Sequence, residues 1–185
     1  MEKKERDPRQ LTAADVEVGV LQVTDRDVKL RLWPKPERVR AILDEMYEPL
    51  RWCLGFTISA ARICCTLSVN MTDDVGDIFV MSRGAMCPTE YRMSSDQARN
   101  EMDGAMIMAA SLMGIGDAVM QLPAMVVRDD QVQINPKESP DKKRIAYYYL
   151  ADTLTPTNLV YDDAGNIVEV DFTRRDGGIV KWQKR

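Results

Sequence analysis

The sequence predicts an α+β protein, an antiparallel β-meander packed on a long helix and followed by a small C-terminal β appendage. Three observations predict it. Three extended, apolar-rich runs at 52–59, 62–70 and 77–82 are separated only by Ala60-Ala61 and by a turn holding Asp73-Asp74 and Gly76. A stretch from Ser94 to about Met113 keeps Ala98, Met102, Ala105, Met106, Ala109, Leu112 and Met113 on one helical stripe. Beyond residue 144, short extended runs alternate with turns rich in Asp, Asn and Gly.

Taken in order, residues 1–11 carry mixed charge and read as a flexible tail. Val16, Val18, Val20 and Leu21 lie in a short element whose pattern suits strand or helix. Val28, Leu30 and Leu32 alternate with Lys29, Arg31 and Trp33, a strand with one wet face. Pro34 and Pro36 punctuate. Val39, Ile42, Leu43 and Met46 then keep helical spacing, with Arg38, Asp44 and Glu45 on other faces, until Pro49 stops the helix ahead of Trp52. For the long helix, Ser94 is the expected N-cap, with Gln97 completing a capping box, and Gly114-Ile115-Gly116 ends it. A short helix over 117–121 stops before Pro123. The expected organisation is a core over 12–128, a mobile loop over 129–143 and a C-terminal β-hairpin unit over 144–185.

Composition narrows the chemistry. The chain is 45% hydrophobic and 29% charged, which suits a folded protein. No run of about eighteen apolar residues suggests a membrane span. The charged start, Met1-Glu2-Lys3-Lys4-Glu5, has no apolar segment behind it, so cytoplasmic residence is expected. There is no histidine and no Cys-x-x-Cys spacing among the four cysteines, so zinc binding and His-based nucleophilic catalysis are not expected. The carboxylate pairs Asp73-Asp74, Asp129-Asp130 and Asp162-Asp163 all fall in turn-like stretches. Gly114-Ile115-Gly116 has no strand before it and no lysine after, so it is no phosphate loop. No enzyme, metal or cofactor is expected. The net charge of -4 works against nucleic-acid binding, yet residues 26–40 gather Arg26, Lys29, Arg31, Lys35, Arg38 and Arg40 against Asp27 and Glu37.

Several segments, in their order, carry a resemblance. Arg38-Val39 through Leu43-Asp44-Glu45 to Pro49 and Trp52 resembles R-V-x-x-x-L-D-E-x-x-G-P-x-x-W, with Glu48 standing where that pattern has glycine. Asp74-Val75-Gly76 is similar to a D-V-G after the strand region, and Met113-Gly114-Ile115-Gly116 to a helix ending in W-G-I-G or F-G-I-G. Tyr161-Asp162-Asp163-Ala164-Gly165-Asn166-Ile167 resembles a Y-D-E-x-G-x-I hairpin. Together these resemble the phage (Sak-type) branch of the Rad-fifty-two-like single-strand annealing proteins. The resemblance implies a β-β-β-α core that assembles into rings or helical oligomers in a bacterial host cell. It also implies binding of single-stranded DNA and pairing with a complementary strand without nucleotide hydrolysis. A single-strand binding protein or an exonuclease would be a candidate partner.

The same resemblance implies Arg38 as a groove cation, with Arg40, Lys29, Arg31, Arg92 and Arg99 as neighbours and Trp33 as a base-stacking platform. Each has a plainer alternative: Arg38 and Arg40 as solvated positions of an amphipathic helix, with Asp44 in pairing reach, and Arg92 and Arg99 as surface residues. Lys142-Lys143-Arg144 reads as a solvated loop able to add charge, and Trp52 as core. One departure matters. Where the family has Lys-Arg-Ala before the helix-ending glycine, this chain has Ile107-Met108-Ala109, which removes about two units of salt slope and leaves an apolar flank needing cover. The alternative function is therefore an oligomeric assembly or protein-partner module of the same fold with weakened DNA binding.

Overall fold

The computed structural model describes residues 9–184 apart from 60, 74, 142 and 143. A 3-10 turn (Ala13–Asp15) leads into β1 (Val16–Val23) and β2 (Asp27–Pro34), followed by α1 (Pro36–Tyr47). Next come β3 (Trp52–Ser59), β4 (Arg62–Thr72), β5 (Ile78–Met86), α2 (Gln97–Ser111) and the short α3 (Asp117–Met120). The remainder is β6 (Met125–Arg128), β7 (Ile134–Glu138), β8 (Ile145–Leu150), β9 (Leu154–Tyr161), β10 (Ile167–Arg174) and β11 (Ile179–Gln183). The protein is mixed α/β, its strands mostly antiparallel in small sheets: β1-β2-β6, β3-β4-β5, β7-β8 and β9-β10-β11.

Two compact units form, and both are discontinuous in sequence. One takes residues 34–120 with the segment ending at Leu11; the other takes 12–33 with 121–185. The expected core over 12–128 is corrected accordingly. β2 pairs antiparallel with β6, from Asp27 opposite Arg128 to Leu30 opposite Met125, and so joins the C-terminal strands. The expected loop over 129–143 is also corrected, since β7 lies within it and pairs with β8. Residues 1–8 of the expected tail, Asp74 of the D-V-G segment, and Lys142 and Lys143 lie outside the described residues.

In the first unit, α1 starts with Pro36, whose missing N–H costs nothing at a helix start, and buries Val39, Ile42 and Leu43. Its end is made by Glu48, whose amide donates to Asp44 O at 3.1 Å. Strands β3 and β4 meet in a tight hairpin in which Ser59 opposes Arg62 and Ala61 takes φ +60°. The inward row of β4, Cys65, Leu67 and Val69, is buried, and α2 packs on β4 and β5.

Helix α2 is capped two residues later than expected. Asp96 is the N-cap, accepting from Arg99 N at 3.1 Å, while the Ser94 hydroxyl accepts from Asp96 N at 3.2 Å. Its buried surface is also rotated. Residues 103–107 and 109–111 are buried, whereas Ala98, Met102 and Leu112 are exposed. The helix meets both the sheet and α1, so two neighbours cover it where one stripe would serve a single neighbour. Gly104 permits the close approach of residues 87–91: a Cβ there would fall 2.4 Å from Cys87 Sγ and 2.7 Å from Tyr91 Cδ1. The apolar flank expected at Ile107 is corrected, because Ile107 is 1% exposed and belongs to the protein's own core. Met108 is half-buried.

The core of the second unit holds Leu30, Leu32, Trp33, Met125, Phe172 and Val180. Its β9–β10 hairpin turns on Asp162, whose Oδ1 accepts from Ala164 N at 3.0 Å and Asn166 N at 2.8 Å. Those bonds from Asn166 above all, then from Ala164, hold the Asp162 carboxyl below its ordinary range.

Candidate nucleic-acid interface

The two arginines that α1 supplies sit two residues apart and so face different neighbours. Arg38 turns along its own helix. Its Nη1 lies 2.7 Å from Glu45 Oε1 and its Nη2 3.4 Å from Glu45 Oε2, a forked contact across two turns. Arg40 turns to α2, where its Nη2 donates to Asp103 Oδ1 at 3.0 Å. From α2 itself, Arg99 Nε lies 3.6 Å from Asp103 Oδ2, one turn away.

Asp103 is thus the focus of a clasp between α1 and α2. Its side chain is 11% exposed, against 45% for Arg40 and 76% for Arg99. A carboxylate so placed needs partners, and the two guanidiniums provide them while keeping much of their own surface in water. Arg40 also acts electrostatically on the sheet. Burial pushes the Cys65 thiol up to about 11, Cys64 adds to the rise, and the Arg40 charge opposes it. Cys65 is therefore an inert buried thiol, while Cys53 is the exposed one.

Beside the start of α2 lies a cleft of about 390 Å³ whose lining includes Arg62, Arg92, Ser94, Ser95, Asn100 and the Glu101 carboxylate. Asn100 shapes it. Its Oδ1 accepts from Met93 N at 2.8 Å and Ser94 N at 3.0 Å, and its Nδ2 donates to Tyr91 O at 2.7 Å. The loop carrying Arg92 is therefore tied to the first turn of α2. Arg62 donates to the Cys87 carbonyl from the hairpin side. Arg92 is exposed and has no ion pair among the described residues. Two guanidiniums with hydroxyls and amides beside them suit an oxyanion such as a phosphate, against the single opposing carboxylate of Glu101.

Of the seven residues expected from sequence, Arg38, Arg40, Arg92 and Arg99 fall in the first unit. The structure joins Arg40 and Arg99 directly. Lys29, Arg31 and Trp33 fall in the second unit. Lys29 is exposed on β2, while Arg31 lies over the Trp33 ring, 4.8 Å from its centroid. The expectation that Trp33 is an accessible platform is corrected. It is 0% exposed, so the ring has no free face for a base.

Sequence reasoning overlooked Glu45, Asp103, Arg62 and Asn100. Two carried a signal, for Arg99 and Asp103 stand at i,i+4 and Arg38 and Glu45 at i,i+7. Arg62 reaches the cleft only through tertiary packing, and Asn100 through its bonds to the loop just before α2. Among the described residues no group of three or more Cys, Asp or Glu could hold a metal ion, and no helix is long and apolar enough to cross a membrane. No family model, no curated protein and no solved structure matches the chain.

Proposed function

We propose that the chain is a single-strand annealing protein of the phage recombination type. It would act as an oligomer, bind single-stranded DNA through the arginines around α1 and the start of α2, and promote strand pairing without nucleotide hydrolysis. The observation that carries the reading is Glu48. It adopts φ +65° and ψ +146° at the one position where the chain departs from the glycine of the R-V-x-x-x-L-D-E-x-x-G-P-x-x-W pattern. That backbone conformation favours glycine, so the local geometry agrees with the pattern although the residue does not. The order of helix α1, strands β3-β4-β5 and helix α2 on the sheet adds support, since the resemblance implies three strands and a long helix in this sequence.

The second reading, an assembly or partner-binding module with weakened DNA binding, is favoured by a separate observation. Three of the four expected cations of the first unit, Arg38, Arg40 and Arg99, already have carboxylate partners. A phosphate would have to displace Glu45 from Arg38, or share Arg40 and Arg99 with Asp103.

One titration separates the two. A labelled oligonucleotide at about 50 mM salt should bind, and annealing to its complement should accelerate with no nucleotide present. Arg92→Ala and Arg99→Ala should each lower the salt slope by about 0.7, the value for one single-strand phosphate contact. Asp103→Asn should tighten binding by leaving Arg40 and Arg99 without a competing carboxylate. Unchanged affinity in Arg38→Ala would remove Arg38 from the interface. Absence of binding at this salt would sink the annealing reading and leave the second.

A further inference from the structure

A larger cleft, of about 770 Å³, lies in the second unit between β6 and the end of β11. None of the residues assigned above contributes to it. Alternation along β6 buries Met125 and Val127 and turns Val126 and Arg128 outward into the cleft. The opposite wall brings Lys181, Trp182 and Lys184, and Asp130 is the single carboxylate in the lining. The lining thus holds more cations than acids, on a chain of net charge -4.

The cations differ in availability. Lys181 is engaged, with Nζ 3.4 Å from Asp171 Oδ1 and 3.6 Å from Glu169 Oε1. Arg128 and Lys184 are exposed and form no ion pair among the described residues. Val126 is 47% exposed and Trp182 half-buried, so an apolar floor and an indole stand beside two available charges. An aromatic surface flanked by cations is the combination that holds an unpaired polynucleotide, because bases stack while phosphates pair with charge.

We propose that this cleft is a second single-strand contact, in which Trp182 receives a base beside Val126 while Arg128 and Lys184 hold neighbouring phosphates. The proposal rests on the annealing reading and extends it to the unit where the resemblance names no such site. A peptide added as a β-strand is disfavoured by space. Strands β6 and β11 approach within 8 Å between Cα atoms, whereas a strand inserted between them needs about 9.5 Å.

The test uses the whole chain and a fluorescein-labelled oligothymidylate followed by anisotropy across a salt series. Arg128→Gln with Lys184→Gln should weaken binding roughly tenfold and lower the salt slope by about 1.4, for two single-strand phosphates. Both positions are exposed, so the fold should be unaffected. Trp182→Ala should cost roughly tenfold in affinity, and Trp182→Phe should recover most of it. Photo-crosslinking of a 4-thiothymidine oligonucleotide should map to residues 181–184. Wild-type affinity and slope in the charge variants, with binding by the parent intact, would overturn the cleft while leaving the annealing reading standing. No oligonucleotide binding by the parent would overturn both. Binding of an acidic peptide that the charge variants abolish, with oligonucleotide binding untouched, would overturn the proposal in favour of a protein partner.

Discussion

Glu48 costs the fold something that its side chain does not return. At φ +65° and ψ +146° its Cβ crowds the backbone, a conformation glycine takes readily and other residues take at a cost of order 1–3 kcal/mol. Its carboxylate meets Arg51 Nε at 3.2 Å, but both side chains are well exposed, at 77% and 53%, and such pairs contribute about 0–1 kcal/mol. Glycine would lose that pair and add freedom to the unfolded chain, worth about 0.5–1 kcal/mol against it. The strain outweighs both. Glu48→Gly should therefore stabilise the protein by about 0.5–1 kcal/mol and raise Tm by about 2 °C in a thermal melt. A lower Tm would mean that the position bears no strain, and the strongest support for the annealing resemblance would go with it.

At the scale of elements, α2 shows what a sequence can and cannot disclose. Its existence follows from apolar periodicity, and its end from Gly114, which takes φ +86° just beyond the last turn. Its orientation does not follow, because the phase of burial depends on how many neighbours the helix meets. Ile107 and Met108 make the point. Both stand where the resembled family has cations, yet one is core and the other half-buried. Ile107→Lys would bury an ammonium among apolar side chains and should cost about 3–5 kcal/mol or abolish folding. Met108→Lys can extend its stem and keep its charge in water, for about 1 kcal/mol or less. Urea midpoints followed by circular dichroism would decide. Equal, mild effects from both would show that the helix does not turn Ile107 into the core. Restoring a basic groove by replacing both residues together is for the same reason a poor test of function.

The whole molecule was least legible of all, since β2 and β6 lie about a hundred residues apart and no local pattern pairs them. The meander, by contrast, announces itself locally and also raises the question of assembly. Both β3 and β5 are terminal strands of their sheet, with apolar side chains left open: Ile58 is 81% exposed on β3, and Ile78 and Val80 are 75% and 61% exposed on β5. Ile58 shares the face of Cys65, while Val80, opposite Asn70, lies on the other. Two different edges cannot join as a symmetric pair of identical surfaces. Joined to each other they would meet head to tail, a contact that repeats into a ring or a filament. In a three-stranded antiparallel sheet the outer strands run the same way, so β5 of one copy and β3 of the next would meet in parallel at each junction. Ile58→Lys and Val80→Lys place a charge on either side of that junction without touching the core. Each should convert large assemblies to small species in sedimentation velocity at micromolar concentration, and the same variants should lose cooperative binding to a long oligonucleotide. A parent chain that sediments as a monomer, with and without the oligonucleotide, would end the case for edge-to-edge assembly.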